Sequence, residues 1–340
     1  MSKDKITIYD IAERAEVGIS TVSRVLNDSP NVTDRTRNRV VKAIRDLEYR
    51  PSRTARSLAR SANRYLAVAI PSFTTPFHTE LLKGVRRCLA SEAIDLLLCD
   101  LGSINRQSVL KDFLRRGALD GLLLVGVQVD ETVQEELNTS RTPVVLIGSE
   151  WPGLDSFRWD DVEGARAATA HLLEEGHENV GLIRTHLRDI ENDDRFRGYR
   201  QALSDAGRPL NLDLVVHGET KKHRGFSEET GYEAMLKLLK VDPTVSAVFA
   251  CSDVQALGAW RAIVDSGRSV PDNVALVGYD NLKSSHYIGL TTIDQRMGEV
   301  AERATKLLLQ RIRGEGGDER EAELVTPKLI VRRSSTREVR

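Results

Sequence analysis

Residues 6–27, ITIYDIAERAEVGISTVSRVLN, set apolar side chains at helical spacing in two short runs with a break between them. Ile8, Ile11, Ala12 and Ala15 recur at i, i+3, i+4 and i+7, which predicts one amphipathic helix. Val22, Val25 and Leu26 predict a second, whose outer face carries Ser20, Thr21, Ser23, Arg24 and Asn27. Two such helices form the pattern of a helix-turn-helix, which lays its second helix in the DNA major groove. Small hydroxyls and an amide around one arginine suit that helix, because they donate or accept at base edges and phosphates. The alternative is a small helical hairpin with a solvated polar face. A third helix is predicted over 34–47, with Val40, Val41, Ile44 and Leu47 inward and Thr33 as its N-cap.

Pro51 then disfavours helix at Arg50. Residues 50–64, RPSRTARSLARSANR, hold five arginines and no acid. Their apolar stripe of Ala55, Leu58 and Ala59 is too narrow to fold alone. The expectation is a linker that becomes helical only against DNA and a partner chain. Leu58 sits among the arginines either as a contact on the neighbouring domain or as a wedge between base steps in the minor groove.

Beyond residue 64 the rhythm changes. The runs YLAVAI, DLLLC, GLLLVG and VVLIG are uniformly apolar, as strands covered on both faces must be. Stretches such as 80–91 and 105–116 between them carry helical periodicity. NVGLI, DLVV, SAVFA and NVALVG repeat the alternation in the second half. The expected body is a pair of parallel α/β lobes with right-handed crossovers. Ligands of such sheets bind beyond the carboxyl ends of the strands, so a cleft between the lobes follows. LTTIDQRMGEV is expected to cross between lobes, its helix packing through Met297, Val300, Ala301, Ala304, Leu307 and Leu308.

Charge sharpens the division. Residues 1–64 hold 14 Lys/Arg against 8 Asp/Glu, a net of +6; the remainder holds 35 against 42, a net of −7. A total of −1 thus conceals a basic head on an acidic body. The head suits phosphate contacts that release counterions, and it lacks the wide bulky apolar face of a membrane-surface helix. No P-loop, GxSxG, HExxH or paired-cysteine spacing appears, so neither a catalytic centre nor a metal or other cofactor is expected. In HLLEEGH, His171 and His177 do not share a helix face, and Gly176 reads as the helix terminator. Cys88, Cys99 and Cys251 sit in apolar runs without a pairing pattern, which fits reduced thiols and a cytoplasmic location. MSKDKITIYD has no apolar export segment, and no run is long enough to span a bilayer.

The three-helix head, the TVSRVLN string and the RPSRTARSLA hinge resemble the lactose-repressor (LacI/GalR) family of bacterial transcription regulators. The likeness continues through GARAATAHLLEEGHENVGLI, SAVFACSDVQALGAWRAI, VPDNVALVGYDN, LTTIDQ and LIVRRSST, essentially the whole chain. It implies a helix-turn-helix head over 1–49, a hinge helix or linker over 50–63, and a two-lobed, periplasmic-binding-protein-like body over 64–340. It also implies a homodimer on a near-palindromic double-stranded operator, with paired hinge helices in the central minor groove. A small molecule would control its affinity. Matching positions put Thr7, Tyr9, Ser20, Thr21, Ser23, Arg24 and Asn27 on DNA, with Ile19, Ser20 and Thr21 setting specificity. Arg53, Ala55 and Leu58 become the hinge contacts, Leu58 the wedge. Glu16 and Gly18 depart from the family's usual Gly and Ser at the turn.

The resemblance also implies an effector site. Arg195 matches the family's effector-binding arginine, able to hold hydroxyls or a carboxylate with its fork; Arg197 is the competing choice in the same loop. Asp280 matches an acidic contact, Ser252 replaces a frequent Asn, and Asp253 is read as a helix cap. Phe77 is placed to form an apolar wall for a sugar face, and Trp159 is a further effector contact, its register shifted from the family's by the neighbouring Asp160–Asp161 pair. The Asp160–Asp161 pair is read as helix capping or effector contact rather than a metal or acid/base site. Ser72 and Gly148 stand where many relatives have acids, which leaves Arg195 less compensated and points to an anionic ligand such as a sugar acid or phosphorylated sugar. Only four residues follow LIVRRSST, too few for a tetramerising heptad tail, so a dimer is expected, formed through helices such as 80–91, 232–239 or 254–266. The competing readings are a sugar-binding module without a regulatory role, exported or not, and a sugar-metabolising enzyme fused to a DNA-binding head.

Overall fold

Apolar residues at helical spacing close the small N-terminal core, and uniformly apolar runs form the centres of two parallel sheets. The structure is a computed structural model that describes residues 7–26, 32–47, 64–102, 105–115, 119–140, 142–185, 190–315, 317 and 319–336. The chain divides into an N-terminal unit ending at Arg64 and a body beginning at Tyr65.

The N-terminal unit contains α1 (Ile8–Ala15), α2 (Ile19–Leu26) and α3 (Asp34–Asp46). Ile11, Ala12, Ala15, Val22, Val25, Val40 and Ala43 form its core. Thr33 caps α3, its hydroxyl accepting from the Thr36 amide at 3.4 Å. The atypical turn is accommodated at a cost, because Glu16 adopts a left-handed conformation at φ +50°. Arg39 braces it, donating to the Ala15 carbonyl at 2.7 Å and to the Glu16 carboxylate at 3.1 Å.

The body is two six-stranded sheets. In the first lobe the strands are β1 (Arg64–Ile70), β2 (Ile94–Asp100), β3 (Gly121–Val125), β4 (Val144–Ile147), β5 (Asp155–Trp159) and β11 (Ala322–Val325). Their order is β11-β5-β4-β3-β1-β2. The second lobe has β6 (Val180–Ile183), β7 (Val215–Val216), β8 (Ala247–Ala250), β9 (Ala275–Tyr279), β10 (Thr291–Asp294) and β12 (Lys328–Ile330). The order there is β12-β10-β9-β8-β6-β7, with β12 antiparallel to β10. The described pairs of β1, β3, β4, β5, β6, β8 and β9 are parallel, as expected. Helices α4 (Pro76–Leu89), α5 (Arg106–Arg115) and α6 (Glu131–Ser140) belong to the first lobe. To the second belong α7 (Asp161–Glu174), α8 (Asp194–Asp205), α9 (Glu228–Val241), α10 (Asp253–Asp265) and α11 (Lys283–Ile288).

The chain passes between lobes three times: from β5 to α7, from β10 to α12 (Met297–Arg313), and from β11 to β12. The second passage is the one foreseen, and the six apolar residues predicted for its helix are all buried. Two expectations need correction. β2 is not covered on both faces, because it is the sheet's edge; Leu96, Leu97 and Leu98 are 36%, 37% and 46% exposed. The DLVV run supplies only a two-residue strand after a 3-10 turn at Leu212–Leu214. Close helix contact explains two glycines: a Cβ on Gly231 would lie 2.0 Å from the Gln255 carbonyl, and one on Gly258 1.9 Å from that of Glu228, so α9 and α10 touch backbone to backbone.

Candidate functional site

On the N-terminal unit, Tyr9 and Ile19 expose large apolar side chains to solvent, at 66% and 42%. Ser20 and Arg24 are exposed on α2, and Thr21 and Ser23 are half-buried beside them. Thr7 precedes α1 and shares a capping arrangement with Asp10, its amide and hydroxyl donating to the carboxylate at 2.6 and 2.7 Å. Those bonds hold the Asp10 carboxyl below its ordinary pKa, led by the backbone bond from Thr7. Asn27 and the hinge residues Arg53, Ala55 and Leu58, with the whole 50–63 segment, lie outside the described residues.

In the body, the strand ends of both lobes face a cleft of about 510 Å³. Phe77, His78 and Arg106 line it from the first lobe; Arg195, Phe226 and Asp280 line it from the second. A second concavity of about 310 Å³ shares Phe77 and Arg195 and adds Trp159, Asp161 and Gly148. Arg195 therefore faces both.

The first turn of α8 positions Arg195, capped by Asp193, whose carboxylate accepts from the Arg195 and Phe196 amides. Its guanidinium donates to the Cys251 carbonyl and, at 3.3 Å, to Asp161. It also lies 3.8 Å from the Tyr279 ring centroid and 5.9 Å from that of Phe226, in cation–π contact. Burial disfavours its charge, but the fields of Asp161, Tyr279 and Asp280 outweigh burial and raise its pKa. Arg197 points away and pairs with Asp194 at 2.7 Å on the surface.

Asp280 immediately follows β9 with φ +118°, a conformation that L residues rarely adopt. Gln295 donates to its carboxyl at 2.6 Å. Burial pushes the Asp280 carboxyl well above the usual carboxylate range, against the opposing pull of Arg195. Phe77 packs edge-on to Trp159, ring centroids 5.8 Å apart, and the Trp159 indole donates to the Gln295 carbonyl at 2.7 Å. His78 shares a 2.5 Å hydrogen bond with Thr75; burial first, then the charges of Arg106 and His223, lower its pKa to about 4.

The acidic pairs separate by role. Asp160 caps α7, accepting from the Glu163 amide at 2.9 Å, while Asp161 joins the cleft, taking the Tyr279 hydroxyl at 2.8 Å. The expected cap at Asp253 is a correction: Ser252 caps α10, accepting from the Gln255 amide at 3.2 Å. Ser252 borders the cleft, but it has no exposed surface and its hydroxyl is shared with Gln255. Asp253 instead accepts from the Leu282 amide, Ser285 and Thr292 at 2.6–2.7 Å, tying the loop after β9 to α10. Sequence reasoning passed over His78, Arg106, Tyr279 and Gln295, although the rule that sites follow strand ends covers Arg106 after β2 as well as Arg195 after β6. Among the described residues, no group of three or more His, Cys, Asp or Glu side chains could hold a metal, and no helix is long and apolar enough to cross a membrane.

An exposed helix-turn-helix face together with a two-lobed, cleft-bearing body defines a DNA-binding regulator that responds to small molecules. A family model described as bacterial regulatory proteins of the lacI family matches residues 7–52, and one described as a periplasmic binding protein-like domain matches residues 169–335. The chain is 32% identical over 336 residues to the HTH-type transcriptional repressor PurR of Mannheimia succiniciproducens, covering 96% of this chain and 98% of the relative. Among solved structures, the transcriptional regulator CelR in complex with cellobiose is 31% identical with a TM-score of 0.69, covering 97% of this chain and 99% of that one. The lac repressor dimer bound to operator and the anti-inducer ONPF shares the fold at a TM-score of 0.80 and 24% identity, over 98% and 100% of the two chains. The chain belongs to the LacI family of bacterial regulatory proteins, and it is a DNA-binding transcriptional repressor controlled by a small ligand.

Proposed function

We propose that the protein works in the cytoplasm as a homodimer on a near-palindromic operator, reading bases through Ile19, Ser20, Thr21, Ser23, Arg24 and Asn27. Thr7 and Tyr9 contact the flanking backbone, and Arg53, Ala55 and Leu58 contact the minor groove. The exposed leucines of β2 support a subunit contact in the first lobe. The effector is a sugar or sugar derivative held in the cleft, with Arg195 and Asp280 on its hydroxyls and Phe77 against a ring face. Carrying this reading is Arg195: a buried guanidinium, oriented by Asp161 and stacked on Tyr279, that faces a cavity of small-ligand size. The cellobiose bound by CelR supports a carbohydrate. Ligand contact changes the lobe angle and hence how the two heads present themselves to DNA, with a coupling of ~1–3 kcal/mol between the sites.

A thermal-shift screen of neutral sugars, sugar acids, sugar phosphates and purines tests it. At a hundred times its dissociation constant a ligand adds ~2.7 kcal/mol. Arg195→Ala is expected to remove the shift and the ligand's effect on DNA binding while leaving DNA affinity without ligand unchanged. An intact response in that variant moves the site elsewhere.

A further inference from the structure

Arg195 accounts for one end of the cleft. The other end carries a separate group of basic side chains: Arg106 and His78 on the first lobe, His223 and Arg224 on the second. Arg106 has its Nε engaged by the Gly102 carbonyl at 2.8 Å, and among the described residues no hydrogen bond or ion pair is seen at its terminal nitrogens. Arg224 makes no ion pair among the described residues. Asp100 is the acid that lines this end, and it forms no ion pair within 4.0 Å with either arginine. The second-lobe pair is held in place at a conformational cost: His223 and Arg224 sit at φ +48° and +60° in the 3-10 turn Lys222–Gly225, which puts two non-glycine residues in the left-handed region side by side. The Arg195 end contains an ion pair of its own, to Asp161 at 3.3 Å; at this end Asp100 acts only at longer range, and its field offsets only part of what burial and Arg224 do to Arg106.

We propose that Arg106 and Arg224, flanked by His78 and His223, form an anion subsite across the two lobes that takes a phosphate or carboxylate group of the effector. The proposal rests on the cleft being the effector site and adds the charge of the molecule that fills it. Guanidinium forks on opposite walls match the oxygens of such a group. Without an anion, the two like charges oppose the approach of the walls; burial, and then Arg224, already depress the pKa of Arg106. An anion between them converts that repulsion into a bridge, so the subsite favours the closed cleft only when the charged end of the ligand is present.

Inorganic phosphate is the first probe, titrated into the full-length protein in low-chloride buffer and followed by ³¹P line broadening. Arg106→Gln, Arg224→Gln and the surface control Arg208→Gln are compared with the wild type after circular dichroism shows each to be folded. Saturable broadening is expected in the wild type and the control, with at least a tenfold loss of affinity in each cleft variant. Glucose, glucose 6-phosphate and glucuronate then separate the possible sources, since preference for the ester or for the acid names the group. Broadening equal in all four proteins, an adventitious ion only, overturns the subsite, as does no binding to the wild type. A neutral sugar whose binding depends on Arg195 but is indifferent to both glutamine variants overturns the subsite and leaves the cleft reading intact. Phosphate binding that needs Arg106 and Arg224, alongside sugar binding that survives Arg195→Ala, keeps the subsite and removes Arg195 from the sugar contacts.

Discussion

Asp253 lies almost wholly buried at the start of α10, and burial raises its carboxyl from the ordinary 3.8 to about 6 despite the bonds from Thr292, Ser285 and Leu282. The native state therefore keeps a proton that the unfolded chain releases. That contribution to stability is fully present below pH 3.8 and is lost as pH rises through about 6. At pH 5 it amounts to on the order of 1 kcal/mol and at pH 8 to almost nothing. Asp253→Asn removes the titration while retaining an acceptor for the Leu282 amide and the Ser285 hydroxyl, and the Thr292 hydroxyl can turn to accept from its amide. Asp253 also raises the carboxyl of Asp280, so its loss relieves that group in the same direction. The wild type should thus lose on the order of 1 kcal/mol more than Asp253→Asn between pH 5 and pH 8. Trp151, Trp159 and Trp260 all lie in the body, so urea unfolding followed by tryptophan fluorescence reports this unit alone. Parallel pH dependence in the two proteins would refute the burial argument.

Three further perturbations separate the parts of the molecule. Arg311→Ala removes the two 2.9 Å bonds to Asp155, which is 1% exposed, leaving that carboxylate only the Glu321 amide at 2.9 Å and Arg320 at 3.5 Å, and is expected to cost about 1–3 kcal/mol; the urea midpoint checks it. Gly231→Ala drives a Cβ into the Gln255 carbonyl, and a loss of about 1–3 kcal/mol or more is expected in the same assay, whereas an unchanged midpoint would show that α9 and α10 can part freely. Ile11→Ala empties the centre of the N-terminal core at about 2–5 kcal/mol. A unit this small rarely holds more than about 3–5 kcal/mol, so DNA binding should vanish while tryptophan fluorescence stays native.

Much of the body was legible because its chemistry is local. Runs such as Gly121–Val125 and Val144–Ile147 are buried at every position, so uniform hydrophobicity revealed them. β5, DSFRW, and β11, AELV, lack that signature. They pair with each other near the rim of a sheet, where registry with a neighbour supplies what side-chain hydrophobicity does not. β2 shows the converse: DLLLC reads as interior but lies at an edge, because composition reports affinity for a covered face without saying how much cover is present. In the cleft, Arg195 and Asp280 were pointed to by the family resemblance, at positions that also follow strand ends. The Ser252 and Asp253 roles were not, because each follows from bonds to residues 3 to 39 positions away. Tyr279 was hidden inside an apolar strand, where nothing marks the direction of its hydroxyl.

The three passages between lobes are stitched to one another and to the cleft. The Asp160 amide donates to the Val325 carbonyl at 3.0 Å, joining the first passage to the third. The Trp159 indole, bonded to the Gln295 carbonyl, joins the first to the second. From these residues, single steps reach two of the groups that line the cleft: Asp161 to Arg195, and Gln295 to Asp280. The second passage bends at Arg296, a left-handed residue at φ +50° immediately before α12. A molecule that competes for Arg195 or Asp280 thus exchanges bonds with the segments about which the lobes would turn, rather than with walls remote from them. How far it shifts the lobe angle depends only on the difference between its contacts in the two arrangements, however tightly it binds overall. Affinity is therefore set by the cavity as a whole, whereas control is concentrated in the few side chains attached to the passages, and the two properties can change independently.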